Sequence, residues 1–101
     1  TDYSLFVPND GYSVIIPDKY KNKIAVSYDE KTRKMTVTNN STKKTVFSVV
    51  TVMKAVYDKN NFKGYSSVLD TSGYYYLAQS GNDSDIKITV GDIKNYIKAA
   101  E

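Results

Sequence analysis

The sequence predicts an α+β fold: a twisted antiparallel sheet of about five to six strands with a C-terminal helix packed on one face. Three observations predict it. Short runs of β-branched and aromatic residues alternate with polar ones from Tyr12 to Gln79. Clusters of Asp, Asn, Ser, Thr and Gly separate these runs at hairpin spacing. The apolar period changes to a helical one only after Thr89.

The elements follow in chain order. Tyr12 to Ile16 is a strand, bounded by Asp10-Gly11 before it and Pro17 after it. Ile24 to Tyr28 alternates, with Ile24, Val26 and Tyr28 on one face, and Met35 to Thr38 resumes the pattern after a polar turn. These two runs predict a hairpin. Asn39 to Lys44 is the next reversal, since Asn tolerates positive φ. Thr45 to Met53 is the longest strand, and its apolar residues on both faces predict a central strand covered on both sides. Ala55 to Gly64 lacks a period and reads as a loop that Phe62 could anchor. Tyr65 to Leu69 and Gly73 to Gln79 predict a second hairpin around Asp70 to Gly73.

Ser80 to Asp85 is polar, and Asp85 to Ile88 reads as strand or loop. Then Ile86, Val90, Ile93, Ile97 and Ala100 recur at spacings of four, three, four and three, which makes an apolar stripe. Thr89 is placed to cap the helix, with Asp92 three residues on as the acidic partner of a capping box. The helix is therefore expected to begin near Val90, and its stripe to cross one face of the sheet.

A length of 101 residues suits one domain spanning 1–101. Hydrophobic residues at 41% and charged residues at 25% are globular proportions, which sets wholesale disorder aside. No apolar run reaches the roughly 20 residues of a membrane-spanning helix. The chain has no Cys, His or Trp. Disulfides, thiol nucleophiles, His-based triads and the usual zinc and haem sites are thereby excluded. The acids fall mostly in expected turns or at the helix start, where turn and cap chemistry explains them. Asn82-Asp83-Ser84-Asp85 lacks the ligand count and glycine of a calcium loop. No glycine-rich phosphate loop is present. These absences predict neither catalysis nor a bound metal or cofactor.

Net charge is +3, with one Arg among fourteen basic residues. A Lys-dominated surface of mixed sign argues against nucleic acid as a partner. The alternating Lys19, Lys21 and Lys23 read as an exposed segment. The ten tyrosines are more than a core of this size would bury, and each joins a flat apolar body to a polar tip. Tyr74, Tyr75 and Tyr76, with Tyr20, form the candidate binding surface. Strand alternation puts Tyr74 and Tyr76 on one face and Tyr75 on the other. Cross-strand aromatic pairing is the competing structural account of the same residues.

The run from Gly11 to Lys23, with Tyr12-Ser13-Val14-Ile15-Ile16-Pro17 followed by Tyr20-Lys21-Asn22-Lys23, resembles the start of small secreted lipoprotein domains of Gram-positive gut bacteria. Those domains are similar to the PsbP-like fold. The resemblance implies an extracellular, membrane-tethered, non-enzymatic domain and supplies no catalytic residues. The first residue, Thr1, is not Met, so either a leader has been removed or the chain has been trimmed; a lipid anchor upstream would suit the resemblance. The expected partner is a protein, peptide or glycan at the bacterial cell surface. The alternative is a protein inhibitor or assembly subunit that acts through an edge strand or loop.

Overall fold

The computed structural model describes residues 3–7 and 11–99. The alternation read from the sequence becomes a five-stranded antiparallel sheet: β3 (Ile24–Asp29), β4 (Lys34–Asn39), β5 (Thr45–Met53), β6 (Ser66–Asp70) and β7 (Tyr74–Ser80). Their spatial order is β3-β4-β5-β7-β6, so the longest strand is central. A second sheet, of three strands, has the order β1-β2-β8, where β1 is Tyr3–Val7, β2 is Tyr12–Ile16 and β8 is Ile97–Ala99. A single helix, α1 (Val90–Tyr96), joins the loop after β7 to β8 and packs against β6, β2 and β7.

The main core fills the space between the two sheets and the helix. Tyr12, Val14 and Ile16 from β2, Met35 and Val37 from β4, Phe47 and Val49 from β5, and Ile93 from α1 are almost fully buried. β5 is covered on its other face as well, as its apolar pattern predicts. Val50 and Val52 meet Leu77 there, and Phe62, Tyr65 and Tyr75 close over them. The segment 54–65 folds back to provide that cover through two short 3-10 turns, Lys54–Val56 and Lys59–Asn61.

α1 begins where the capping box predicts. The Asp92 backbone N–H donates to the Thr89 hydroxyl oxygen at 3.1 Å, and the Thr89 N–H donates back to the Asp92 carboxylate at 3.1 Å. The end of the helix differs from the sequence expectation. Ile97 is extended at φ −84°, ψ 138°, and β8 runs beside β2 with Val14 opposite Ile97 and Tyr12 opposite Ala99. The strand period and the helix period both bury Ile97. The deciding factor is the backbone, because β2 has an edge whose N–H and C=O groups need partners. Ala100 lies outside the described residues. β1 is a further addition, since the sequence reading assigned no strand before Tyr12.

Candidate binding surface

The expected alternation at Tyr74-Tyr75-Tyr76 holds, and it separates the three rings. Tyr76 faces the main core, is 4% exposed and meets the Tyr12 ring edge-on at 5.1 Å. It is a packing residue and leaves the surface patch expected of it. The physical reason is its place opposite the buried Thr51 of the central strand β5, against Tyr12 of the second sheet. Tyr74 also faces the core side but lies at the strand start, half-buried, with the Arg33 guanidinium 5.1 Å from its ring centroid. Tyr75 points to the opposite face. Tyr20 sits near the other end of the strands, half-buried, with the Lys19 ammonium 5.0 Å from its ring. It lines a shallow pocket with Lys23, Asn39, Ser41, Asp85 and Ile86. The four tyrosines thus do not share one surface.

Tyr75 instead joins aromatic residues that the sequence reading passed over. The Tyr57 ring meets Tyr75 edge-on at 4.9 Å and lies nearly parallel to Phe62 at 5.9 Å. Phe62 in turn meets Tyr65 edge-on at 6.2 Å. The result is a continuous strip of four rings over the outer face of β5 and β7. Lys54 anchors its rim, with its ammonium 5.1 Å from the Tyr75 ring and ion-paired to Asp70. Val56 and Tyr57 are 68% and 37% exposed. Large apolar side chains left open around an aromatic cluster are what an interaction surface presents. The signal in the sequence was the spacing of Tyr57, Phe62 and Tyr65 within an otherwise polar stretch. It was hidden because Tyr57 and Phe62 lie in a stretch with no strand or helix period and Tyr65 reads as the start of a strand.

A second site missed by sequence reasoning is Asp83. Its carboxylate accepts from the Asn39 side-chain amide at 2.9 Å, the Thr42 hydroxyl at 2.6 Å and the Ile86 backbone N–H at 2.7 Å. The Asn39 and Thr42 hydrogen bonds hold its pKa down, from 3.8 to about 2. Both oxygens are thus engaged in tying the 39–44 turn to the loop after β7. An open depression of about 370 Å³ lies beside this knot, lined by Val46, Gly81, Ile86 and Ile88 among others. Among the described residues no three acidic side chains converge on one point.

No family model matches this chain, no curated protein matches it in sequence, and no solved structure matches its fold. Among the described residues no helix is long and apolar enough to cross a membrane. The fold and surface define the class only as an α+β domain with an aromatic strip on the outer face of its main sheet.

Proposed function

We propose that the chain is a non-enzymatic binding domain of the bacterial cell surface or exterior, and that it holds a protein, peptide or glycan against the strip Tyr57-Phe62-Tyr65-Tyr75. One observation carries the reading: four rings in contact over the outer sheet face, with Tyr57 and Val56 open to solvent. Rigid aromatic rings offer contact area at little conformational cost, and their tips give direction through hydrogen bonds. The resemblance of Gly11 to Lys23 to secreted lipoprotein domains supports the location. The test is a glycan and peptide array probed with the wild type and Tyr57→Ala. A binder that loses about tenfold or more in affinity on removal of this partly exposed ring supports the strip. Equal binding by both proteins counts against it.

The alternative, an inhibitor or assembly subunit working through an edge strand, is favoured by one specific observation. β3 is an edge of the main sheet, and it pairs with β4 over six residues with no register shift. Ala25, Val26 and Ser27 are exposed and uncharged. An edge strand with no bulge and an uncharged middle is a template for strand addition, although at its start the Asn40 side-chain amide donates to the Ile24 carbonyl at 3.3 Å.

A further inference from the structure

The outer edge of β3 can be read at the level of single backbone groups. The Asn40 N–H donates to the Lys23 carbonyl at 2.9 Å, and the Thr38 hydroxyl reaches the Ala25 carbonyl. The antiparallel ladder has a two-residue period, so Ala25, Ser27 and Asp29 turn their backbone groups toward β4, as does the carbonyl of Lys23, whose N–H donates to the Tyr20 carbonyl. The N–H and C=O of Val26 therefore point away from the sheet. Its side chain lies on the core side opposite Val37, which is 0% exposed, yet Val26 itself is 45% exposed. The core thins at the middle of this edge strand, while Ile24 stays buried in it and Tyr28 packs against it.

The opposite edge, β6, differs. It has a register irregularity between Ser67 and Leu69, and α1 and β8 lie against it. Bulges and covering elements are the usual means by which sheets close their edges. Within Ile24–Tyr28, β3 has no proline, no bulge and no charged residue.

We infer that β3 pairs with β3 of a second copy of this chain, antiparallel about a two-fold axis at Val26, to give a continuous ten-stranded sheet. This rests on the edge-strand reading above and names its partner. The sequence from Lys23, the turn residue just before β3, to Asp29 at its end is self-complementary about Val26. Val26 meets Val26 of the second copy, Ala25 meets Ser27, Ile24 meets Tyr28, and at each end Lys23 falls opposite Asp29. The Val26 pair exchanges two N–H···O bonds. The Lys23 and Asp29 pairs are then of the closely spaced, non-hydrogen-bonded kind, where side chains on one face interact most directly. Both residues are exposed, and neither has an ion pair within the chain among the described residues. Such pairing about one symmetry axis satisfies an isologous interface. Its area is small, so association is weak, with Kd between about 10 μM and 1 mM.

Sedimentation velocity across that concentration range tests the inference. The wild type is expected to shift from monomer to dimer. Val26→Pro removes an outward-facing N–H and no bond of the β3–β4 ladder, and it is expected to stay monomeric with an unchanged circular-dichroism spectrum. Lys23→Asp and Asp29→Lys each set like charges opposite at both ends, and each is expected to weaken association at least about tenfold. Mixed in equal amounts, these two variants regain opposite charges at both ends and are expected to associate as tightly as the wild type. A wild type that remains monomeric at about 1 mM overturns the inference. So does a mixture no tighter than its components, which keeps the test decisive even if the proline variant fails to fold. A monomer that binds extended peptides, with binding lost in Val26→Pro, rejects the second copy as occupant and leaves the edge reading standing.

Discussion

Ile93→Ala measures how far the roof over the sheet holds the fold together. α1 has seven residues, too few to be helical alone, and Ile93 is its buried residue, at 0% exposure. The substitution removes three carbons. At about 0.8 kcal/mol each, the lost transfer energy is roughly 2.4 kcal/mol. If the vacated space of roughly 80 Å³ stays open, the cavity adds about 1.9 kcal/mol. The expected loss is therefore about 2 to 4 kcal/mol, against about 5 to 15 kcal/mol for a whole domain of this length. That corresponds to a fall in Tm of about 10 to 30 °C. Urea unfolding followed by far-UV circular dichroism gives the value directly, with the exposed Lys94→Ala as a control expected to stay within about 0.5 kcal/mol. A loss below about 1 kcal/mol for Ile93→Ala refutes the reasoning, because it would mean that α1 contributes little to the core.

Two other perturbations probe the loop after β7. A Cβ at Gly81 would come within 1.9 Å of the Thr45 carbonyl oxygen, a backbone atom that β5 holds in place. Gly81→Ala is expected to lower stability by about 1 to 3 kcal/mol or more in the same urea assay, and an unchanged midpoint would show that the close approach is not rigid. Asp83 has a folded pKa of about 2 against an ordinary 3.8. A depressed carboxylate contributes stability that is present above the unfolded value and lost as pH falls toward the folded one. Stability should therefore decline between about pH 4 and pH 2, and Asp83→Asn should flatten that slope. Parallel pH profiles for the two proteins would contradict the assignment.

The main sheet was legible because alternation is local. Ile24 to Tyr28 and Met35 to Thr38 show their faces in a few residues each, and Thr89 with Asp92 marks the helix start in four. What could not be read depends on contacts distant in sequence. Asp83 looks like one of several loop acids until the 39–44 turn is brought beside it. Tyr76 and Tyr75 differ by one position, yet one is core and the other surface, and only the location of the second sheet decides which face is dry. Ile97 fits a helix stripe equally well; the unsatisfied edge of β2 turns it into a strand. The strip Tyr57-Phe62-Tyr65-Tyr75 was hidden for the same reason, since Tyr57 and Phe62 come from a stretch with no period of its own.

The pairing of β2 with β8 has a consequence for how the chain reaches this shape. Tyr12 and its partner Ala99 are roughly 90 positions apart, and most of the chain must be ordered or looped out before they meet. During synthesis the hairpin of β3 and β4 can close early, while Tyr12 and Val14 wait with their apolar side chains exposed until the last turn of α1 delivers Ile97. The addition of β8 to the β1–β2 hairpin is thus set to be late and slow. The interval before β8 docks is when the chain is most open to wrong partners.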